Sequence, residues 1–246
     1  MTKRMIAGVD LAWMGGRNPT AIAVGRYESA AVSLITVVEN LVGTPSVILA
    51  LDSVEELHGV AIDGPLVITN ATGQRRCENS VSSKYGSRKA SCHTSNLIRF
   101  PDAAGTRVAA HLTGKGFQHL AATDRRWQIE CYPHPALIEM FGLPERLRYK
   151  KGGVALKRSG QVELGHFILK LERSPVLPLI IPHVYQSHFD GDNINVMRGR
   201  ELKHNEDVLD AIICMYIGAL YQHGVRERVH GSADAGYIYV PEVLCV

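Results

Sequence analysis

The sequence predicts an α/β protein in which three antiparallel strands, and then parallel strands, form one mixed sheet flanked by helices. Three observations predict this class. Three strand-like segments separated by turn residues fill the first forty positions. Further along the chain, short apolar runs alternate with segments of helical periodicity. Strands that are each followed by a helix pair in parallel through crossover connections, so the later strands extend the sheet in parallel.

The amino-terminal elements follow from turn residues and apolar spacing. Strands are predicted at 4–11, 20–27 and 31–38, with turns at 15–19 and at Glu28-Ser29. Thr44 and Pro45 match a helix cap followed by a proline in the first turn, which predicts a helix over 44–57. The apolar run 60–63 has no polar alternation, as expected for a strand buried on both faces.

The remainder of the chain contains helical segments separated by two long polar stretches. Residues 67–100 are rich in Ser, Asn, Gly and basic side chains, which is typical of a functional or disordered loop. The predicted elements that follow are a helix at 103–112, a strand at 126–132, helices at 135–141, 161–173 and 203–223, and a strand at 236–241. We therefore predict one domain over 1–246 with inserted loops around 67–100 and 142–200.

The predicted topology brings two acidic strand ends together. A right-handed crossover from the third strand can place the fourth beside the first. Asp10 and Asp63 would then lie side by side at the carboxyl ends of two parallel strands. Ligands bind at this edge of open α/β sheets.

Composition restricts the protein class only mildly. The chain has 246 residues, is 46% hydrophobic and carries a formal net charge of +3, which is too small to imply nucleic-acid binding by itself. Its five cysteines are irregularly spaced and Asp10 interrupts the first apolar segment, which favours reduced thiols and a cytoplasmic location. No apolar run is long enough to predict a membrane span.

Acidic residues in apolar segments are the main functional signal. Burying a carboxylate is costly unless it is paired, hydrogen-bonded or bound to a metal. Since several acids occupy separate core elements, we predict one shared two-metal site that binds Mg²⁺ or Mn²⁺ through hard oxygen ligands and hydrolyses phosphodiester bonds. The predicted catalytic acids are Asp10, Asp63, Glu130, Asp207 and Asp210, of which all but Glu130 are predicted metal ligands.

Each acid also has a structural explanation. Asp10 can cap the adjacent turn, Asp63 can bond its own backbone before Gly64-Pro65, and Glu130 can face water on an edge strand. Asp207 can cap the amino terminus of its helix. Asp210 lies three residues later in a very apolar stretch, where capping explains it less well.

Four short motifs resemble the domain-of-unknown-function family 429. They are Gly8-Val9-Asp10-Leu11-Ala12, Ala61-Ile62-Asp63-Gly64-Pro65-Leu66, Glu130-Cys131-Tyr132-Pro133 and the segment from His204 to Ala211. Members of that family are described as predicted nucleases of the ribonuclease H-like fold. The resemblance implies a ribonuclease H-like mixed sheet with acids from the first strand, the fourth strand and the last helix.

Basic residues supply a possible interface for a nucleic-acid partner, either DNA or RNA. The residues predicted to hold phosphates are Arg75, Arg76, Lys84, Arg88, Lys89 and His93. A second basic stretch contains Arg146, Arg148, Lys150, Lys151, Lys157 and Arg158. A solvated surface and an anion-binding role both remain open for each cluster.

Two functions compete with a metal-dependent nuclease. An actin-like phosphotransferase or ATPase also begins with a Gly-x-Asp strand end and nearby glycines, here Gly8, Asp10 and Gly15-Gly16. That architecture normally needs a second phosphate loop, and only one copy is present. A non-catalytic binding module, in which the acids only cap and pair, is the other alternative.

Overall fold

The computed structural model describes residues 3–14 and 18–246. The predicted turn at 15–19 and the Gly15-Gly16 pair of the actin-like alternative therefore fall largely outside the described residues. The strands are β1 (Arg4–Asp10), β2 (Thr20–Glu28), β3 (Ala31–Leu41), β4 (Leu57–Asp63), β5 (Gln118–His119), β6 (Trp127–Cys131), β7 (Leu179–Ile180), β8 (Glu227–Ser232) and β9 (Gly236–Pro241).

The helices connect these strands. They are α1 (Thr44–Asp52), α2 (Arg76–Tyr85), α3 (Ala104–Gly114), α4 (Pro133–Phe141), α5 (Val154–Lys170), α6 (Gly191–Val196) and α7 (Gly199–His223). Short 3₁₀ turns occupy Gly86–Arg88, Leu171–Arg173 and His183–His188. Within the described part of the chain, no helix is both long and apolar enough to cross a membrane.

The described strands form one mixed sheet in which most pairs are parallel. The order is β7-β3-β2-β1-β4-β6-β9-β8, and β5 pairs with β6. The β1–β2–β3 meander is antiparallel as predicted, and the β3–β4 crossover places β4 parallel to β1. The fold class is thus confirmed as an α/β mixed sheet flanked by helices.

The core lies on both faces of the sheet. Helices α1 and α3 cover one face, where they pack on residues such as Val9 and Ile62. Helices α4, α5 and α7 cover the other face, where they pack on Ile6, Ala61 and Ile129. Because side chains alternate along a strand, the side chain at each strand end is directed to one of these two faces.

Some element boundaries differ from the prediction. Segment 67–100 was expected to be irregular, but it contains α2, which buries Cys77, Val81 and Tyr85 against the sheet. The predicted helix at 203–223 begins earlier, at Gly199. Strand β8 was not predicted, because its exposed sequence Glu-Arg-Val-His-Gly-Ser is an edge strand that relies on β9 for its hydrogen bonds.

Candidate functional site

Two aspartates meet at the carboxyl ends of neighbouring parallel strands. Asp10 of β1 and Asp63 of β4 are register partners, as the predicted crossover requires. Both lie on the sheet face covered by α7, because they alternate in step with Ile6 and Ala61 on that face. The parallel pairing therefore holds two carboxyl groups side by side.

A glycine in β1 lets helix α7 approach this pair. A Cβ atom at Gly8 would lie 1.9 Å from the backbone nitrogen of Met215 and 2.4 Å from the carbonyl oxygen of Ala211. Any side chain at position 8 would therefore push the helix away from the strand. Asp210 directly precedes Ala211 in α7. The close approach of the helix therefore brings Asp210 to the strand ends that carry Asp10 and Asp63.

Asp210 is completely buried and is held by a segment that follows α4. The hydroxyl of Tyr149 donates a hydrogen bond to Oδ1 of Asp210 at 2.7 Å. The ammonium of Lys150 lies 2.7 Å from Oδ2 of Asp210 and 3.7 Å from Oδ2 of Asp63. Gly160 of α5 packs on the backbone of Arg148 and Tyr149, where a Cβ would lie within 2.7 Å of three backbone atoms. Lys150 therefore contacts both the helix acid Asp210 and the strand-end acid Asp63.

Asp207 completes the group on α7. Its Oδ1 lies 2.5 Å from Nζ of Lys203, which also contacts Glu206 at 2.7 Å. Because α7 begins at Gly199, Asp207 lies inside the helix, and the predicted alternative that it caps the helix is wrong. We call Asp10, Asp63, Asp207 and Asp210 the aspartate cluster.

Burial raises the pKa values of the carboxyl groups in the aspartate cluster. Burial raises the pKa of Asp10 to about 6 and that of Asp63 to about 7, although Lys150 opposes both shifts. The negative charge of Asp207 raises the pKa of Asp10 further. Burial also raises the pKa of Asp210 against Lys150. The two lysines therefore neutralise the cluster only in part.

Two oxygens of the cluster lack hydrogen bonds. Oδ2 of Asp207 and Oδ2 of Asp210 are buried and have no hydrogen-bond partner among the described residues. Oδ2 of Asp210 is compensated only by its ion pair with Lys150, whose ammonium lies 2.7 Å away. In residues 3–14 and 18–246 no group of three or more His, Cys, Asp or Glu side chains is arranged to hold a metal ion. The ammonium of Lys150 lies between the carboxyl groups of Asp63 and Asp210, which are two of the predicted metal ligands.

The strand-end aspartates open into a cavity of about 430 Å³, which we call the acid cleft. Its lining combines acids with bases and aromatic rings. The lining residues are Asp10, Leu11, Trp13, Asp63, Lys89, Ser91, Cys92, His93, Tyr132, His134, Arg146, Lys150 and Lys151. The volume is in the range of small-molecule sites, which is roughly 300–1,000 Å³.

Glu130 does not join the aspartate cluster. In β6 it is Cys131 that pairs with Asp63, so the preceding Glu130 lies on the opposite face of the sheet. Arg75 donates to both oxygens of Glu130, at 2.5 and 2.9 Å, and to Oε1 of Glu78 at 2.8 Å. The backbone N–H of Leu66 also donates to Glu130 at 2.9 Å. We call Arg75, Glu78 and Glu130 the buried arginine network.

The basic residues predicted to bind nucleic acid separate into two groups. Lys89 and His93 line the acid cleft, as predicted for an approach to the acids. Arg75 does not, because it is buried in its ion pairs and is only 3% exposed. Lys84 pairs with Glu242, Arg88 bonds the carbonyl oxygens of Leu143 and Pro144, and Arg76 is exposed; none of these three lines the cleft.

Sequence reasoning missed several residues of this site. Lys150 was noted only as part of a basic stretch, and Tyr149, Lys203 and His134 were not singled out. The run Arg-Leu-Arg-Tyr-Lys-Lys at 146–151 gives no periodicity that would direct Lys150 to the acids. Lys203 was more accessible to prediction, because it lies one helical turn before Asp207.

Comparison with known proteins gives a family but no activity. A family model described as "Protein of unknown function (DUF429)" matches residues 8–235. No curated protein and no solved structure matches the chain. The matched range includes all four residues of the aspartate cluster and the buried arginine network. The chain therefore belongs to the DUF429 family.

Proposed function

We propose that this protein is a divalent-metal-dependent nuclease that hydrolyses phosphodiester bonds at the aspartate cluster. One observation carries the proposal: four aspartates from two adjacent strand ends and one helix converge beside a cleft that also carries basic side chains. Structural ion pairs do not require this excess of negative charge. A site that concentrates carboxylates typically binds hard cations.

The donor chemistry of the cluster suits Mg²⁺ or Mn²⁺. Oδ2 of Asp207 has no hydrogen-bond partner among the described residues, and Oδ2 of Asp210 has the ammonium of Lys150 beside it at 2.7 Å, so a cation that displaces this ammonium has both oxygens as ligands. Asp10 and Asp63 add oxygens at the edge of the acid cleft. The obstacle is Lys150, whose ammonium contacts Asp63 and Asp210. Metal binding therefore requires Lys150 to withdraw toward the cleft, which it also lines.

The residues of the chain have separable roles in this proposal. When bound, Mg²⁺ or Mn²⁺ supplies Lewis-acid activation of water and neutralises charge on the phosphate. Asp10, Asp63 and Asp210 would hold the cations, and Tyr149 fixes the orientation of Asp210 through its hydrogen bond. Lys203 orients Asp207 in the same way. While no metal is bound, the positive charge of Lys150 reduces the repulsion between the carboxylates of Asp63 and Asp210.

We also propose that the fold is ribonuclease H-like. The meander β1–β2–β3 followed by the parallel strands β4 and β6 matches the arrangement expected of that fold. The acids come from the expected first strand, fourth strand and last helix. Glu130, which belongs to the buried arginine network, has a positioning role here and supports the segment around Leu66.

The test compares cleavage by the wild-type chain with cleavage by Asp10→Asn and Asp210→Asn. Single-stranded, double-stranded and branched DNA and RNA are incubated in Mg²⁺ or Mn²⁺. We expect each variant to lose activity by about a hundredfold or more, because each removes a charged cation ligand. Asp124→Asn, at an exposed acid outside the cleft, is the matched control. Cleavage that persists in Asp10→Asn and Asp210→Asn would refute the proposal.

The second candidate is a non-catalytic binding module. The observation that favours it is that no described donor set is arranged to hold a metal ion as it stands, because Lys150 already balances part of the charge. Titration with Mn²⁺ separates the two candidates. A ligand that binds only the folded state must raise its thermal stability, so a melting temperature insensitive to Mn²⁺ favours the binding module.

A further inference from the structure

One wall of the acid cleft is basic and continues into a neighbouring cavity. The second cavity has a volume of about 280 Å³, and the two cavities share Lys89, His134, Arg146, Lys150 and Lys151. Of these, Lys150 contacts the aspartate cluster and Lys89 pairs with Glu145. We call the remaining three, His134, Arg146 and Lys151, the basic wall.

The two cations of the basic wall have no acidic partner. Ion pairs in this region join Lys89 and Arg148 to Glu145 and join Lys150 to the aspartates, but in the described part of the chain none involves Arg146 or Lys151. In addition, Nε of Arg146 is buried and has no hydrogen-bond partner among the described residues. A buried donor without a protein partner is energetically unfavourable, so an acceptor supplied from the cavity would stabilise it.

His134 provides the second, independent observation. Its side chain is only 4% exposed, and its Nδ1 lacks a hydrogen-bond partner within the described chain. The imidazole is held in place between the edges of Tyr132 and Tyr149, with ring centroids at 5.7 and 5.3 Å. A buried, fixed and unpartnered polar ring that lines both cavities is suited to bind a ligand there.

His134 is placed by the start of helix α4 among the positive charges of the basic wall. His134 is the second residue of α4, between Pro133 and Pro135, which have no backbone N–H. Burial lowers the pKa of His134 well below its usual value, and the charges of Lys150, Arg146 and Lys151 lower it further. The ring is thus neutral in a strongly positive environment.

We infer that the basic wall is a subsite for a phosphate group, bound by the Arg146 guanidinium and the Lys151 ammonium and hydrogen-bonded by the His134 ring. A tetrahedral oxyanion has enough acceptors for these donors, and the guanidinium fork matches its geometry. Anion binding does not depend on the hydrolytic chemistry. The assignment of this phosphate to a nucleotide next to the cleaved bond does rest on the proposed function.

The size of the cleft determines how much substrate surrounds this phosphate. About 430 Å³ accommodates a small-molecule-sized group, here roughly one nucleotide, and not the width of a duplex. Trp13 and Tyr132 provide aromatic edges in the same cleft. The subsite therefore takes an unpaired nucleotide, which comes either from the phosphorylated end of a strand or from a free nucleotide.

Calorimetry with inorganic phosphate tests the subsite directly. The full chain is titrated in EDTA at low ionic strength, so that no metal contributes. We expect saturable binding that Arg146→Met and Lys151→Met each weaken by about tenfold. Arg173→Met and Lys157→Met remove the same charges from residues that line neither cavity, and we expect them to stay within about twofold of wild type. Absence of saturable binding, or equal weakening in all four variants, overturns the inference.

Two further arms separate this inference from the proposed function and identify the source of the phosphate. Asp10→Asn should lose cleavage but still bind phosphate; if it loses phosphate binding as well, the basic wall is not a separate subsite.

The source of the phosphate is identified by comparing ligands. Tighter binding of a 5′-phosphorylated oligonucleotide than of its unphosphorylated form supports a strand end. Comparable binding of a nucleoside monophosphate alone supports a free nucleotide. If Arg146→Met does not fold, Arg146→Lys replaces it, and unchanged phosphate affinity in that variant overturns the bidentate contact.

Discussion

Two sets of buried carboxyl groups lie at the same end of the sheet, on opposite faces, and they differ in how they are neutralised. In the buried arginine network, Arg75 donates to both Glu130 and Glu78, and Leu66 and Ser95 donate further hydrogen bonds to the two glutamates. In the aspartate cluster, two carboxylate oxygens have no hydrogen-bond partner within the described chain.

The difference separates a network that completes its own hydrogen bonds from the cluster for which we propose a function. A completed ion network fixes the conformation of its segment, here the polar stretch around Arg75, and each carboxylate oxygen of Glu78 and Glu130 already accepts a hydrogen bond. An incompletely neutralised cluster that opens into a cleft is poised to bind one. Asp63 at the end of β4 and Glu130 near the end of β6 are both buried carboxylates. They have different surroundings because they lie on opposite faces of the sheet.

The largest effect is expected from breaking the buried arginine network. Arg75→Met leaves Glu78 and Glu130 without their counter-ion, which should lower the free energy of unfolding by about 3–5 kcal/mol. The neighbouring Arg76→Met is the matched control, because Arg76 is exposed, and we expect a change within about 0.5 kcal/mol. Urea unfolding measures both. Equal stability of the two variants would contradict a structural role for the network.

The pH dependence of stability distinguishes the aspartate cluster. Burial raises the pKa of Asp63 from its ordinary 3.8 to about 7, so the folded state holds this proton more tightly than the unfolded state does. The free energy of unfolding should therefore fall as the pH rises from about 4 to about 7 in EDTA. Asp63→Asn should reduce this fall, whereas the exposed Asp124→Asn should not. Chemical denaturation at pH 5 and pH 8 measures the difference.

A smaller effect is expected when Lys150 is replaced. Lys150→Met removes the ammonium that competes for Asp63 and Asp210, so the affinity for Mn²⁺ should rise by about tenfold, or ~1.4 kcal/mol. The adjacent Lys151→Met removes the same charge without a contact to the acids and serves as the control. Calorimetric titration measures the affinity. Weaker Mn²⁺ binding by Lys150→Met would mean that Lys150 supports the metal-bound state.

The smallest effect concerns the basic residues outside the two buried sets. Lys89 lines the acid cleft, whereas Lys84 pairs with Glu242 and does not line it. We expect Lys89→Met to weaken binding of a single-stranded oligonucleotide a few-fold and Lys84→Met to change it by less than about twofold. Fluorescence anisotropy at constant salt compares them. An equal loss in both variants would extend the interface beyond the cleft.

Much of this arrangement could be predicted from the sequence, because it depends on local patterns. Turn residues and apolar spacing predicted the three-stranded meander, and the crossover rule placed β4 beside β1, which made Asp10 and Asp63 neighbours. The face of Glu130 was also predictable in principle. Aligning the strand ends would have paired Asp63 with Cys131 and directed the preceding Glu130 to the other face.

Other features depend on long-range contacts that no local pattern encodes. Lys150 contacts an acid 60 positions away in the sequence, and Arg75 contacts one 55 positions away. The irregular appearance of 67–100 concealed α2, because that helix is stabilised by packing on β8 and β9 and by the buried ion pairs at its first turn. Helix propensity alone is weak for so polar a segment.

The sequence by itself determined the β1–β2–β3 meander, the place of β4 beside β1, the α/β class and the positions of acids at strand ends, because these follow from side-chain periodicity, turn chemistry and the crossover rule. Tertiary structure decided which acids share a site. The absence of a side chain at Gly8 allows α7 to pack closely on β1. The absence of a side chain at Gly160 allows α5 to pack closely on the segment that carries Lys150. Charges interact strongly only when burial and distance bring them together, and both are properties of the folded chain.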